Sequence, residues 1–303
     1  MRRRSSGFIL ISVLLSTTML ITAATAFAWF ARTEARRAAA RENILKCRNA
    51  AEIAAGVIGR KIAADNNKYD SLTEPLYAPG QLTKIEIGDY DISVQITPLN
   101  DRISVNGLLL PDGVTLRSEY ETAWNNIWEE LERPELAATV LDFIDKDKNQ
   151  KLGGAERDGN INRLISDLDE LKAIAEVDDA VLYGGKEHPG GLAKYFTVPG
   201  GQKININVAA PEMIEKLDDG LSLSHAQNIA AQRLISPLTS MDDLKRVPGF
   251  PAALATKLAN VIGFESTHFL LEVNVKDRTG NARNYRVIVE RSGKKCGIFS
   301  WYE

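Results

Sequence analysis

The spacing of apolar positions changes several times along this chain, and each change marks a new element. From Phe8 to Ala31 no charged residue occurs, with Arg2-Arg3-Arg4 ahead of the run and Arg32 behind it. About two dozen residues at about 1.5 Å rise reach across a bilayer, so a membrane-spanning helix is expected over 8–31. The repeat then becomes three and four: Ile44, Cys47, Ala51, Ala54, Ile58 and Ile62 make one apolar stripe. Arg41, Glu42, Lys46 and Arg60 take the opposite face, and Asp65-Asn66-Asn67 ends the pattern. One long helix, half in a membrane and half packed on a soluble domain, accounts for both stretches.

Alternation with period two follows. Tyr90, Ile92, Val94 and Ile96 alternate with Asp91, Ser93 and Gln95, and Arg102-Ile103-Ser104-Val105 comes after a Pro-Leu-Asn-Asp turn. From about Ser118 to Gly263 the chain reads as helical. Strands return with Phe269, Leu271, Val273 and Val275, then Tyr285, Val287 and Val289 across a turn at Asp277 to Asn281. An isolated hairpin is marginal, so the two strand groups belong to one sheet and the helical block is an insertion. The expected fold is α+β: a long N-terminal helix and an antiparallel sheet, with a large inserted all-helical domain. The corresponding boundaries are 1–7 for a leader, 8–31 for the span, 32–117 and 265–303 for the two parts of the core, and 118–264 for the insert.

Charge narrows the function. Three arginines before the apolar run place the N-terminus in the cytoplasm by the positive-inside rule, although Arg32, Arg36 and Arg37 on the far side oppose it. Trp29 and Phe30 stand where an interfacial aromatic anchor belongs. The formal charge is −3, or about −6 without the three leader arginines, which provides no field for attracting nucleic acid. The three histidines, His188, His225 and His268, are isolated, which argues against zinc chemistry. There is no phosphate loop and no nucleophile–base pair, so an enzyme is not expected.

One stretch of the insert has ligand chemistry. Asp145, Asp147, Asn149 and Glu156 place oxygen donors at loop positions 1, 3, 5 and 12, with the Lys151 carbonyl at position 7. That spacing wraps hard oxygens around one point, as calcium requires, and apolar Leu152 occupies position 8 as in EF-hand loops. Asp142, one helical turn earlier, adds a further donor. Gln150 stands at position 6, where the sharp turn usually needs glycine, so the loop must close differently. The plainer reading is a solvated turn between helices. A second group, Asp158, Asn160 and Asn162, also alternates donors but lacks a distal carboxylate.

The insert also repeats itself. Leu168-Asp-Glu-Leu-Lys-Ala-Ile174 returns as Met241-Asp-Asp-Leu-Lys-Arg-Val247, with Val177 and Ala180 matching Phe250 and Ala253. The second copy, with Val247-Pro248-Gly249-Phe250, resembles DNA-binding helix-hairpin-helix units, which hold phosphate with backbone N–H groups. Here Pro251 replaces the second glycine and has no N–H to give. Between Lys203 and Gly263, Lys203, Lys216, Arg233, Lys245, Arg246 and Lys257 are balanced by Glu212, Glu215, Asp218, Asp219, Asp242 and Asp243. Scaffold packing is the expected role.

The junction Gly7-Phe8 precedes the apolar run, whereas a secretory signal is cut after a shorter apolar core. It resembles a type IV prepilin leader, cut between Gly7 and Phe8 by a prepilin peptidase; an uncleaved signal anchor is the alternative. The chain as a whole resembles the minor pseudopilin K family of type II secretion systems. The resemblance rests on Gly7-Phe8, with Ser12 where pilin-like proteins usually carry glutamate, and on Leu141 to Asp145 with Gly153-Gly154-Ala155-Glu156. It continues through Ser166 to Val177, Lys203-Ile-Asn-Ile-Asn-Val-Ala209 and Thr239 to Phe250, with Phe143 where the family often has tryptophan.

The resemblance implies a pilin-like core and calcium bound in the insert through Asp142, Asp145, Asp147, Asn149, Lys151 and Glu156. It also implies leader cleavage, methylation of the new N-terminus and a single-pass inner-membrane protein whose soluble domain is periplasmic. The implied role is at the pseudopilus tip, initiating assembly for export of folded proteins. Its partners would be other minor pseudopilins, the major pseudopilin, the inner-membrane assembly platform and the prepilin peptidase, with no nucleic acid. The alternatives are a DNA-uptake pseudopilin and a minor type IV pilus subunit. In a pilin-like fold the sheet covers the Cys47 face of the helix, so Cys47 and Cys296 are either bridged in the oxidising periplasm or remain a buried thiol and a loop thiol.

Overall fold

The computed structural model describes residues 5–186 and 188–303. Arg2, Arg3 and Arg4 of the expected leader lie outside the described residues. Helix α1 runs without interruption from Ser5 to Ala64, about 90 Å at helical rise. Its first half is bare, with Phe8, Leu14, Met19 and Phe27 all exposed. It is the one helix among the described residues long and apolar enough to cross a membrane. Along the second half, Cys47, Ala50, Ala51, Ala54, Ala55, Ile58 and Ile62 are buried against a sheet. The alanines let the sheet come close, and the two isoleucines fill the gaps between its side chains.

That sheet has five antiparallel strands: β1 (Thr83–Ile87), β2 (Tyr90–Pro98), β3 (His268–Asp277), β4 (Ala282–Ser292) and β5 (Lys295–Tyr302), in that spatial order. Ile92, Val94 and Ile96 pair with Val275, Val273 and Leu271, while Leu271 and Val273 in turn face Val287 and Tyr285. The register puts every period-two apolar position on the side facing α1. Tyr77, in the connection after α1, stacks on Phe269 at 5.4 Å and closes one end of this core.

Strands β2 and β3 are neighbours in the sheet, yet about 170 residues separate them in sequence. The intervening chain carries its own core, centred on Trp124, Trp128 and Phe196, whose rings meet edge to face. Helices α2 (Ser118–Glu130), α3 (Leu136–Ile144), α4 (Asp179–Tyr183), α5 (Pro211–Glu215), α6 (Leu223–Ile235), α7 (Met241–Lys245) and α8 (Leu254–Leu258) pack around it. The strand expected at Arg102–Val105 is not part of the sheet. Only Ile103 and Ser104 are extended, and they pair in parallel with Phe196 and Thr197 inside the insert. Strands β1 and β5 were not evident in the sequence.

The insert is fastened to the sheet by buried amides. The Asn100 side chain accepts from Thr267 N at 3.0 Å and donates to the Lys203 carbonyl at 3.0 Å. The Asn205 amide donates to Asp70 O and Ser266 Oγ, both at 2.9 Å, while Asn207 braces the insert itself by exchanging two bonds with Leu238. Beside them Arg291 forks onto the buried Asp70 carboxylate. All of these lie at one end of the sheet. At the other end Asn43 Nδ2 donates to Asp277 at 3.0 Å, close to where α1 leaves the domain for its apolar half. The insert therefore crowns the end of the sheet farther from the membrane-length segment.

The cysteines are not bridged, which overturns the bridged alternative for Cys47 and Cys296. Cys47 is buried near Asn43. Cys296 lies beside Gly59, where an added Cβ would sit 3.6 Å from its sulfur. Twelve residues of helix, about 18 Å, separate the two positions, far beyond the roughly 4.4–6.8 Å a bridge allows. Nor is Cys296 a loop thiol: it lies in β5 opposite Arg291, at the insert end of the sheet, far from Cys47.

Candidate functional site

The acidic loop starts at the C-terminal end of α3. The helix burial pattern puts Phe143 and Ile144 in the core, and Asp142 and Asp145 are also fully buried. Two buried carboxylates so close together need compensation. Lys151 provides it twice. Its backbone N–H donates to Asp142 at 3.0 Å, and its ammonium contacts Asp145 and reaches Asp142 at 3.9 Å. Burial nonetheless raises both carboxyls above their ordinary range, with Glu156 adding repulsion at Asp142 and Asp147 at Asp145.

The loop does close differently from an EF-hand. Gly153, at φ +80°, takes the left-handed turn that Gln150 cannot, and the Gln150 side-chain amide donates to Gly154 O at 2.6 Å. Gly154 is required by proximity, since a Cβ there would lie 2.1 Å from Asp142 Oδ2. Irregular backbone, not a helix, directly follows the loop, and Leu152 is fully exposed instead of packed, so the EF-hand comparison fails at position 8.

Asp147 accepts from Asn149 N at 2.8 Å, which holds its carboxyl below the ordinary range, and Asn149 itself is exposed. The second polar group folds back onto the first. Asn160 donates to Asp142 O at 3.1 Å, and Asn162, at φ +45°, donates to Asp147 O at 2.9 Å and Glu156 at 3.2 Å. Sequence spacing did not single out Asn162 as part of this loop; its alternation with Asp158 and Asn160 was the available signal.

Three buried oxygens in this loop have no hydrogen-bond partner: Asp145 Oδ1, Glu156 Oε2 and Asn162 Oδ1. All three are hard donors of the kind calcium takes. Among the described residues no three acidic, histidine or cysteine side chains meet at metal-ligand spacing, and the Lys151 ammonium stands among the carboxylates. The donor set fits calcium in chemistry and needs the lysine, about one-quarter exposed, to swing outward.

The repeated hairpins are packed alike. Leu171, Ile174 and Val177 are buried, as are Leu244, Val247 and Phe250, and Asp167 and Ser240 cap the two units. The first copy winds as a 3-10 turn at Leu168–Ala173 where the second is α7. Gly249, at φ +79°, turns the second hairpin, and Asn228 donates to Pro248 O at 2.9 Å. All six cations counted in this region have internal partners. Lys203 reaches Ala259 O, Arg233 caps the Ile206 and Ala209 carbonyls, and Lys216, Lys245, Arg246 and Lys257 pair with Glu130, Asp242, Asp243 and Asp218.

A long helix, bare and apolar in its first half and packed under an antiparallel sheet in its second, with a helical insert interrupting that sheet, defines a pilin-like α+β fold. The comparisons agree with that class. A chain of the GspK-GspI-GspJ complex from the enterotoxigenic Escherichia coli type 2 secretion system matches with a TM-score of 0.57 at 14% identity, covering 89% of this chain and 98% of that one. The helix-hairpin-helix motif family matches residues 200–262, the stretch from the asparagine strap to the end of the second hairpin. No curated protein sequence matches.

Proposed function

We propose that this chain is a minor pseudopilin of a type II secretion system, seated at the pseudopilus tip and helping to start pseudopilus assembly. The observation that carries the reading is the position of the insert. It crowns the sheet at the end away from the apolar half of α1, where the next subunit of a helical stack would have to sit. A subunit built this way can be covered from below and not from above. Ser12 fits the same place: a serine offers no carboxylate to a neighbour's amine, and its hydroxyl donates to Phe8 O of its own helix at 2.9 Å.

The other minor pseudopilins would meet α1 and the sides of the sheet, and the major pseudopilin would follow beneath. The assembly platform and prepilin peptidase would act on the membrane end. Calcium would be held by Asp142, Asp145, Asp147 and Glu156, with Asn162 and the Lys151 carbonyl, and would replace the lysine as the internal positive charge. Its work there is structural, cross-linking α3 to the long loop that follows. Co-expression with the system's other minor pseudopilins, followed by affinity capture, tests the reading. A stoichiometric complex is expected, and failure to bind any of them would refute it.

A further inference from the structure

The arginines that follow the apolar run oppose the positive-inside pattern, and pilin-like architecture assigns them no role. The apolar run ends at Ala31, after about 36 Å of helix against about 30 Å of hydrocarbon. Arg32 and Arg36 thus fall at the headgroup layer, one helical turn apart and on the side of the helix that carries the exposed ring of Trp29. The domain begins to cover α1 only near Asn43 and Cys47, which leaves residues 32–42 as a bare neck.

The two acids of the neck are already engaged. Glu34 pairs with Arg37 at 2.7 Å and Glu42 with Lys46 at 2.7 Å. Among the described residues Arg32, Arg36 and Arg41 have no carboxylate partner. Guanidinium groups present a planar fork that matches phosphate oxygens two at a time. Basic residues next to a membrane span are drawn to anionic lipid surfaces, by about fivefold in partition for each charge near the surface.

We propose that Arg32 and Arg36 hold anionic phospholipid headgroups in the leaflet on the soluble-domain side, with Arg41, about 14 Å along the helix from Arg32, adding to the field. The proposal rests on the apolar half of α1 lying in a bilayer. The collar would keep the subunit anchored at a fixed depth, with the bare neck between lipid and domain, until assembly draws it out.

Trp29, one helical turn before Arg32, provides a local probe, because the other three tryptophans lie in the soluble domain, Trp124 and Trp128 buried in the insert and Trp301 in β5. The full chain is reconstituted in phosphatidylcholine vesicles containing equal fractions of brominated phosphatidylglycerol or brominated phosphatidylcholine, and tryptophan quenching is compared. Wild type should be quenched severalfold more readily by the brominated phosphatidylglycerol. Arg32→Gln with Arg36→Gln should abolish the difference, and Arg41→Gln should reduce it less and only at low salt. Equal quenching of wild type by both lipids overturns the proposal while leaving the span intact. No quenching by either overturns the span and the proposal together. An unchanged lipid preference in the double variant, combined with lost capture of partner subunits, assigns the arginines to a protein contact and also refutes it.

Discussion

Gly154 and Asp142 make the closest approach in the acidic loop, and that contact explains why two glycines stand side by side. Gly153 supplies a backbone angle and Gly154 supplies room. Gly154→Ala would drive a methyl group into a buried carboxylate, so a loss of about 1–3 kcal/mol is expected by chemical denaturation, as for other overpacked sites. The carboxylates also set the response to pH. Burial raises Asp142 and Asp145, so the folded chain holds these protons more tightly than the unfolded one. Their contribution to metal-free stability is greatest in acid and declines as pH rises from the ordinary carboxyl range through the raised one. Calcium takes the ionised form, so the rise in Tm that it causes should be small in acid and grow across that same window. A calcium effect on melting that is independent of pH, or absent at millimolar calcium, would count against the site. That Asp145, Asp147 and Glu156 belong to one polar loop was legible from their spacing. Lys151 as internal counter-charge and Asn162 as a brace were not, because neither follows from the period of the loop.

At the scale of elements, the long helix and the three strongest strands could be read from apolar spacing alone, because burial on one face imposes a strict period. The edges of the sheet could not. β1 is a five-residue strand with only Ile85 and Ile87 turned inward, and β5 contains Gly297 and an Ile298-Phe299 pair that breaks the alternation. The break coincides with the register shift at Ile288/Val289, where β4 and β5 slip by one residue. The register of β4, whose C-terminal end lies beside His268 at the insert end of the sheet, could not be fixed from apolar spacing, which is why a bridge from Cys296 to Cys47 looked feasible. The true neighbour of Cys296 is Gly59. A Cβ on Gly59 would meet Cys296 at ordinary contact distance, 3.5–3.6 Å, while glycine within a helix costs up to about 1 kcal/mol relative to alanine. Gly59→Ala should therefore stabilise the soluble domain by up to about 1 kcal/mol, measured by urea unfolding. A loss of stability would mean that β5 packs too tightly on α1 at Gly59 to admit a methyl group.

The whole molecule is two cores joined at one end of a sheet, and the joint is polar. Lys203-Ile-Asn-Ile-Asn-Val-Ala209 stood out in the sequence without a physical reason. Asn205 donates to the Asp70 carbonyl and the Ser266 hydroxyl, tying insert to sheet, while Asn207 holds the Leu238 segment within the insert. Arg291→Ala would leave Asp70 buried and uncompensated, and breaking such pairs typically costs 3–5 kcal/mol. The insert and the sheet should then unfold in two resolved calorimetric steps in place of one, and a single unshifted transition would show that the pair does not hold the joint. The central claim concerns where the whole molecule sits. Antibody-gold labelling of an epitope on the insert, on sheared pseudopili, tests it most directly. A single label at one end of each filament is the predicted result; labels distributed along the filament shaft would contradict it.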